Sequence, residues 1–452
     1  MTTDGTEKSQ RTASEAADPE ELIRSRQYRR LLVLSAVIGV AVSLASWIFL
    51  EVTHAVQQRL YKDLPQSLGF DSPPWWWPLP ILTVAGLLIA IAVVHLPGRG
   101  GHEPSEGLHT GAPTKPIELP GVLLAALATI GLGLVLGPEA PLIALGTGLS
   151  MLVLDRARRP VAEQARVVIA AAAAFAALAT IFGSPVIGAV IIIEAAGLGG
   201  PTLPLVLLPG LMASGIGSLV FVGIGSVTGL SSGAYALPPL TLPPYSSPRV
   251  TDFLWVIILA MVTALVVFLV IRLAQLVRNL VARHAYLLIT GACLLVGAVA
   301  ILFAEITGES AEAVLFSGQD AMVDVVRQAG SLSIATLALL LVCKAVAWGV
   351  SMGAARGGPT FPAVFLGLVG GALCAHLPAF TETPAVGALI AAAVVSVLRL
   401  PLSAIIIALV ITGAGAGVAP LIIVAVVVAY ISTLALAARS RAGVPDGERA
   451  AG

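Results

Sequence analysis

The sequence predicts an all-α polytopic membrane protein, built from two halves in which many helices are short or broken. Three observations lead to this prediction. Of the 452 residues, 57% are hydrophobic and only 11% are charged, whereas a soluble domain carries roughly 25% charged residues. Apolar segments follow one another along almost the whole chain. A Gly-Pro motif in the first half recurs in the second half.

The composition excludes several classes of function. A soluble core cannot absorb this much apolar surface, which excludes a cytosolic enzyme and a secreted disulfide scaffold. Lys plus Arg and Asp plus Glu number 25 each, so no basic field is available to attract a nucleic acid. We therefore expect the lipid bilayer as a partner, and no nucleic acid.

Charge and composition divide the chain into five parts. Residues 1–30 are predicted to be a disordered cytoplasmic tail, and residues 31–235 the first membrane half. The Pro- and Ser-rich residues 236–250 form the predicted linker. Residues 251–438 form the second membrane half, and residues 439–452 a second cytoplasmic tail. Arginines flank the first and last apolar segments, which predicts a multi-pass protein of the cell membrane with both termini in the cytoplasm.

Fourteen apolar segments are predicted to be membrane helices. They are residues 31–54, 79–96, 119–136, 142–154, 166–182, 186–197, 204–222, 252–280, 286–304, 332–350, 361–379, 385–398, 401–412 and 418–438. A simple span needs about 20 residues, but several segments are much shorter and end at Gly-Pro or Pro. Non-helical backbone inside a bilayer is tolerated only when it is buried in protein or lines a wet cavity. Such segments are typical of proteins that handle ions.

An internal repeat supports the division into halves. Residues 137–146 and residues 358–367 share the pattern Gly-Pro-x-x-Pro-x-x-x-Leu-Gly at an offset of 221. A second pair of segments begins at Pro185 and Pro401, at the similar offset of 216. These patterns leave open whether the repeats are parallel or inverted. In either case, paired interrupted segments point to a substrate site.

The first repeat motif, Gly137-Pro138-Glu139-Ala140-Pro141, predicts the N-terminus of a helix at membrane depth. The free N–H groups and the positive dipole end of such a helix favour an anion. Burying the charged carboxylate of Glu139 in hydrocarbon is costly unless the group is protonated or interacts with a specific partner. Two interpretations remain open: a carboxylate that caps the helix, or a protonatable gate that competes with a permeant anion for the same N–H groups.

The second repeat motif predicts a similar helix start without a carboxylate, at residues 356–362. A mobile anion would have to fill that site. The glycine-rich residues 98–104 are a third candidate turn for an anion. The sequence has no nucleophile–base pair, no metal-ligand spacing and no phosphate-binding Gly-Lys-Ser/Thr. We therefore expect conduction, with no enzyme activity, no cofactor and no metal.

These motifs resemble those of the CLC family of chloride channels and transporters. Residues 137–141 resemble the family's Gly-Lys/Arg-Glu-Gly-Pro motif, and residues 357–362 its Gly-Gly-x-Phe-x-Pro motif. Residues 100–104 lie where the family has Gly-Ser-Gly-Ile-Pro. The resemblance covers roughly residues 35–438. It implies a homodimer with one pore per subunit, two inverted halves of tilted and broken helices, and chloride held by helix N-termini.

The resemblance also implies roles for single residues. Glu139 matches the gating glutamate, and Glu139 with Glu194 gives a possible proton path. The implied anion-binding positions are Gly101, Gly137, Ala140, Gly358, Pro359, Thr360 and Phe361. Three departures matter: Gly101 replaces the pore serine, Pro359 lacks an N–H group, and Ala195 replaces the second glutamate of proton-coupled members.

Three hypotheses about function follow. The first is passive passage of chloride or a similar small anion through a pore gated by Glu139. The second is a proton-coupled chloride antiporter, in which protons are also partners. The third is a multi-pass membrane protein that retains the fold without transport. Ala195 favours the first hypothesis over the second. Glu194 is predicted to have a structural role, and Lys344 to extend its amine towards the membrane interface.

Overall fold

The computed structural model describes residues 19–107, 112–157, 161–200, 203–228, 237, 239–328, 332–413 and 415–442. Within these residues the secondary structure is helical, and no β-strand occurs apart from one pair of bridged residues. The α-helices are α1 (Pro19–Arg24), α2 (Arg26–Gln58), α3 (Leu64–Ser67), α4 (Pro78–His95), α5 (Leu119–Ala126), α6 (Glu139–Asp155), α7 (Glu163–Phe182), α8 (Pro185–Ala195), α9 (Leu203–Thr228), α10 (Val250–Val281), α11 (Ala285–Thr307), α12 (Gln319–Gln328), α13 (Ile334–Ala354), α14 (Thr360–Cys374), α15 (Glu382–Leu398), α16 (Pro401–Thr412) and α17 (Gly415–Ala442).

Each of the fourteen predicted apolar segments corresponds to a helix, so the all-α prediction is confirmed. Eight helices of the described residues are long and apolar enough to cross a membrane. Several others, including α8, α14 and α16, are apolar but shorter than a simple span. The sequence missed α12, because its polar residues carry no apolar run.

The prediction of a disordered tail over residues 1–30 is wrong for residues 19–30, which form α1 and the beginning of α2. The Ser25 hydroxyl accepts a hydrogen bond from the Tyr28 N–H at 3.0 Å and caps α2. The buried Tyr28 hydroxyl donates to the Pro204 carbonyl at 3.1 Å and attaches α2 to α9. Residues 1–18 lie outside the described residues.

The other predicted boundaries differ by a few residues. Residues 439–442, predicted to belong to the second tail, are the end of α17. The rest of that tail, residues 443–452, lies outside the described residues. In the predicted linker, residue 237 and residues 239–249 are non-helical, and α10 begins at Val250.

The two halves use the same packing scheme. In the first half α7 packs against α6, α8, α9 and α2. In the second half α15 packs in the same way against α14, α16, α17 and α10, which are their counterparts in chain order. Across the halves, α4 packs on its counterpart α11, and α8 on its counterpart α16. Contacts between counterparts are the signature of a local two-fold axis.

The halves meet most closely at two glycines that are 221 residues apart. The Gly137 N–H donates to the Gly358 carbonyl, and the Gly358 N–H donates to the Gly137 carbonyl, both at 2.7 Å. The pairing is antiparallel, so the two segments run in opposite directions at this point, as inverted halves require. The sequence left this orientation open.

Helices break at corresponding places in the two halves, for local reasons. After α7, Gly183 takes the left-handed backbone conformation (φ 61°), and Pro185 begins α8. After α15, Arg399 takes that conformation (φ 58°), and Pro401 begins α16. Proline suits the first turn of a helix, where its missing N–H costs nothing. These breaks turn the chain inside the membrane part.

Candidate functional site

The site is built where α6 and α14 begin, because their N-termini point at the same small region. Glu139 is the first residue of α6 and is 1% exposed. Its Oε1 accepts hydrogen bonds from the N–H groups of Thr360 at 2.5 Å and Phe361 at 3.3 Å. These are the first two N–H groups of α14, which have no partner inside the helix. The carboxylate therefore occupies an anion site at a helix N-terminus.

The second carboxylate oxygen of Glu139 has a different environment. Oε2 is buried and has no hydrogen-bond partner among the described residues. The bridged glycines Gly137 and Gly358 lie against the carboxyl group, and a Cβ atom on either would collide with it. Glycine is thus required at both positions for the close approach of the carboxylate to the backbone.

Two cavities of similar size reach the site. One of about 620 Å³ contacts Ala140, just after Glu139, and is called here the Arg356 cavity. The other, of about 600 Å³, contacts Pro138, just before Glu139, and is called here the Asp320 cavity. Glu139 itself lines neither cavity, and its two chain neighbours line one cavity each.

The two cavities lie towards opposite ends of α4. The Asp320 cavity is lined by the C-terminal part of α2, up to Lys62. The chain then returns along α4, whose 18 residues span about 27 Å at 1.5 Å per residue. Beyond the end of α4, Gly98 and Gly101 line the Arg356 cavity. The two chain neighbours of Glu139 thus face two different cavities.

The charges that line the two cavities differ in sign. In the Arg356 cavity they are Lys115, Glu118 and Arg356, together with His102. In the Asp320 cavity they are Lys62, Glu309, Glu312, Asp320 and Asp324, together with His54. With neutral histidines, the described lining carries one net positive charge in the first cavity and three net negative charges in the second.

Two acids of the Asp320 cavity lie outside the membrane-spanning helices and are partly removed from water. Burial raises the pKa of the Asp320 carboxyl; His54 and Lys62 oppose the increase, and Asp324 adds to it. Burial likewise raises the pKa of the Glu312 carboxyl, opposed by Lys62 and reinforced by Asp320. Both groups therefore bind protons at a higher pH than an ordinary carboxyl group does.

The structure brings most of the predicted anion-binding residues together. Thr360 and Phe361 supply the N–H groups that hold Glu139. Pro359 has no N–H and is the residue before the first turn of α14. Ala140 and Gly101 line the Arg356 cavity. The roles of all five towards a mobile anion stay predictions.

Gly137 and Gly358 have a different part from the predicted one. Their N–H groups are used in the bridge between the halves, so in this structure neither N–H is available to an anion. The glycine-rich residues 98–104, predicted as a candidate turn for an anion, lie in a stretch with two short turns. Pro97–Gly100 and Pro104–Glu106 are short 3₁₀ turns, and Gly98 to Gly101 all have positive φ values.

Glu194 lies at the end of α8 and holds the beginning of α16. Its Oε1 accepts from the Leu402 N–H, and its Oε2 accepts from the Ser403 N–H, each at 2.8 Å. Oε2 also accepts from the Ser403 hydroxyl at 2.7 Å. Because Pro401 supplies no N–H, the carboxylate meets the first two free donors of α16, as a capping side chain does. This geometry agrees with the structural role predicted for Glu194.

Lys344 corrects the sequence analysis, which expected its amine to reach the membrane interface. The side chain is fully buried, and Nζ donates to the carbonyls of Ala313, Leu315 and Phe316 at 2.8–3.2 Å. The amine also lies 4.5 Å from the ring centre of Phe365 on α14. Carbonyl dipoles and an aromatic face replace the lost hydration. Sequence could not show this, because the carbonyls come from a loop distant in the chain.

Arg356 is a further residue of interest, which the sequence analysis did not place among the site residues. It stands between α13 and α14, next to the bridged segment, and its side chain lines the cavity with 11% exposure. Its Nε–H donates to the Arg99 carbonyl at 3.3 Å, which attaches α14 to the glycine-rich turn. The available signal was its position directly before Gly357-Gly358.

Comparisons with known proteins agree with this architecture. The sequence profile described as voltage gated chloride channel matches residues 85–433. The chain is 27% identical, over 366 residues, to a protein of Escherichia fergusonii named as an ion-transport protein, YfeO; the match covers 79% of this chain and 82% of that protein. A YfeO protein of an Escherichia coli strain matches with the same identity and coverage.

Two solved structures have a similar fold. A slow cyanobacterial Cl⁻/H⁺ antiporter superposes with a TM-score of 0.73 at 20% sequence identity, covering 90% of this chain and 95% of that one. A CLC-type fluoride/proton antiporter superposes with a TM-score of 0.66 at 17% identity, covering 89% and 95%.

The fold defines a helical, multi-pass membrane protein of two inverted halves whose broken helices meet at its centre. The profile match extends over well more than half of the chain. The protein belongs to the voltage-gated chloride channel (CLC) family, and anion transport is the activity that this family carries.

Proposed function

We propose that this protein conducts chloride or a similar small anion between the Arg356 cavity and the Asp320 cavity, through a site that Glu139 opens and closes. The observation that carries the proposal is the position of the Glu139 carboxylate. It occupies the free N–H groups of Thr360 and Phe361, and its chain neighbours Pro138 and Ala140 each line one of the two cavities. An anion that replaced the carboxylate would meet the same donors and the same helix dipole.

Protonation of Glu139 opens the pathway in this proposal. A neutral carboxyl group binds N–H donors less strongly than a carboxylate does. A proton opens the site because it removes the negative charge of Glu139. A permeant anion opens it because it competes with the carboxylate for the same N–H donors. The unpartnered Oε2 is the atom at which the proton would be held.

Passive passage is favoured over proton coupling by the surroundings of Glu194. Both of its oxygens cap α16, and the following residue is Ala195, which has no proton to exchange. Proton-coupled antiport is the second candidate, because the two similar solved structures are named as antiporters. It would require another acceptor on the side of the Arg356 cavity.

We further propose that the protein acts as a homodimer in the cell membrane, with both termini in the cytoplasm. The support is the resemblance to the family and the arginines that flank the first and last helices. The Arg356 cavity would then face the cytoplasm, because α2 begins on that side and α4 returns to it.

Reconstitution into liposomes tests the proposal. Chloride efflux and proton movement are recorded together under a chloride gradient, for the parent and for Glu139→Gln. We expect chloride efflux without stoichiometric uphill proton movement, and faster efflux in Glu139→Gln. Glu163→Gln is the matched control, because Glu163 is also the first residue of a helix but lies exposed at the start of α7.

Each other outcome identifies a competing hypothesis. Uphill proton movement that disappears in Glu139→Gln would establish the antiporter. Absence of anion movement in folded parent and in folded Glu139→Gln would support the third hypothesis, a membrane protein that kept the fold without transport.

A further inference from the structure

Arg356 places a positive charge in the wall of the cavity that reaches Ala140, the residue after Glu139. The residue directly precedes the Gly357-Gly358 segment that packs on Glu139. Its side chain lines the Arg356 cavity together with Gly101 and Ala140, and only 11% of it is exposed. A cation removed from water requires compensation by anions or by hydrogen-bond acceptors.

The hydrogen bonds of the guanidinium group are incomplete. Nε donates to the Arg99 carbonyl at 3.3 Å, and Nη1 donates to the Ala355 carbonyl at 3.1 Å. Nη2 lies 3.7 Å from a carboxylate oxygen of Glu103, which is too long for a hydrogen bond. A guanidinium carries five N–H donors, so three of them have no hydrogen bond among the described residues. Buried donors without partners are costly, and these line an open cavity.

Arg356 belongs to a cluster of four ionic side chains. Its nearest carboxylate, Glu103, is held more closely by Arg278, at 3.1 Å. Arg278 also contacts Glu106 at 3.5 Å and thus draws both carboxylates towards itself. Lys115 adds a second positive charge to the lining of the cavity, and Glu118 offsets one. Arg278 and Arg356 balance Glu103 and Glu106, so the attraction for an anion lies in the unpaired N–H donors of Arg356 and not in an excess of positive charge.

We propose that Arg356 binds the permeant anion beside the N-terminus of α14 and favours small planar oxyanions, such as nitrate, over chloride. The inference rests on the function proposed above and adds its substrate class. Two parallel N–H groups of a guanidinium match two oxygens of a planar oxyanion, whereas a spherical halide receives a single centre of charge. Gly101 contributes no side-chain hydroxyl to the cavity wall, which the N–H donors of Arg356 help to form.

Glu103 limits the affinity of this site, because it competes for the same guanidinium. An arriving anion has to draw Arg356 away from Glu103, which stays paired with Arg278. Neutralising Glu103 therefore strengthens anion binding, whereas neutralising Arg356 weakens it. A general change of the local potential would give the same two signs, so the variant Arg356→Lys, which keeps the charge, is needed to separate a ligand role from an effect of charge alone.

The experiment compares nitrate and chloride binding by titration calorimetry on the detergent-solubilised full chain, and nitrate and chloride flux in liposomes. We expect Arg356→Gln to weaken binding of both anions by about tenfold, the effect of losing a charge-assisted hydrogen bond. Arg356→Lys keeps the charge but loses the planar fork. The chloride affinity of Arg356→Lys should stay within about twofold of that of the parent, and its nitrate-to-chloride affinity ratio should fall about fivefold. Glu103→Gln should strengthen the binding of both nitrate and chloride.

Arg272→Gln is the control, because Arg272 is exposed on α10, where it contacts Gln275 and Phe268 outside the cavity. Its anion affinities should equal those of the parent. Parent affinities in Arg356→Gln, or a parent nitrate-to-chloride ratio in folded Arg356→Lys, would overturn the inference. Failure of the proposed function has a different signature, since it abolishes flux in the parent and in Glu139→Gln while the binding titrations still report on Arg356.

Discussion

The Glu139 carboxylate accepts its shortest hydrogen bond, 2.5 Å, from the N–H of Thr360, the residue that corresponds to it in the other half. Both are the first residues of their helices, 221 positions apart. The repeat thus places two equivalent helix starts face to face, and a carboxylate on one fills the anion site of the other. The two helix starts are equivalent in backbone, whereas Glu139 stands where the other half has Thr360.

Replacing Glu139 by Gln should raise anion flux severalfold at neutral pH and flatten its pH dependence. The amide has the shape of the carboxyl group but no charge to hold it against the N–H groups of α14. The measurement is chloride efflux from liposomes between pH 5 and pH 8, with Glu163→Gln as the control. A folded variant with the flux and the pH profile of the parent would show that Glu139 only caps the helix.

Replacing Gly358 by Ala should produce a similar leak with Glu139 still present. The added Cβ occupies the space of the carboxyl group, which has to leave the N–H groups of Thr360 and Phe361. Gly291→Ala on α11 is the control, since an added methyl group meets nothing within 4 Å there. The double variant Glu139→Ala/Gly358→Ala should leak no more than Glu139→Ala alone, because the displaced group is then absent. Additive effects would contradict this account.

Acid on the side of the Asp320 cavity should increase anion flux even when Glu139 is neutral. Asp320 and Glu312 have raised pKa values, so mild acidification removes negative charge from the approach to the site. In the Glu139→Gln background, Glu312→Gln/Asp320→Asn should raise flux at pH 7.5 and remove the remaining acid activation. The exposed Asp71, in the loop before α4, provides the control Asp71→Asn. Unchanged acid activation in the triple variant would exclude the two carboxyl groups as its source.

The raised pKa of Asp320 also predicts how stability depends on pH. A carboxyl whose pKa is higher in the folded than in the unfolded state binds its proton more tightly when folded. Its contribution to stability is complete below the unfolded pKa and is lost as the pH rises through the folded pKa. Asp320→Asn should therefore raise Tm at pH 8 and leave it unchanged near pH 3, as measured by thermal unfolding in detergent. An equal increase in Tm at both pH values would have a cause other than the titration of Asp320.

Removing the carboxylate of Glu194 should destabilise the protein without changing proton movement. Glu194→Ala leaves the first donors of α16 unpaired, and loss of a cap costs about 0.5–2 kcal/mol. Tm should fall, while the ratio of proton to chloride movement stays that of the parent. Glu305→Ala, at an exposed position of α11, serves as the comparison. Proton pumping that depends on Glu194 would instead make this residue a proton carrier.

Some of the site was predictable because it is encoded locally. Gly-Pro before an apolar run determines where α6 and α14 begin, since proline and glycine impose backbone conformations within a few residues. The recurrence of this pattern identified the paired helix starts, and Glu139 was identified as the one acid within them. Fourteen helices followed from apolar runs alone, whereas the polar helix α12 was missed.

Other features depended on contacts between distant segments. Lys344 was expected at the membrane interface, but three carbonyls of a remote loop hold it in the interior. Gly137 and Gly358 were predicted as anion-binding positions, and the structure adds that their N–H groups bind each other's carbonyls. In each case the partner lies elsewhere in the chain, and local sequence carries no information about it.

The sequence by itself determined the membrane class, the helices, the repeat and the candidate gate. These features depend on hydropathy and on proline and glycine at helix ends, which act over short stretches of chain. Only the tertiary structure decided that the halves meet in antiparallel fashion, that Glu139 reaches across to α14, and that Arg356 lines a cavity with free donors. The physical reason is that hydrogen bonds and charge pairs depend on distances of a few ångströms, and between residues some 200 positions apart these distances are fixed by packing alone.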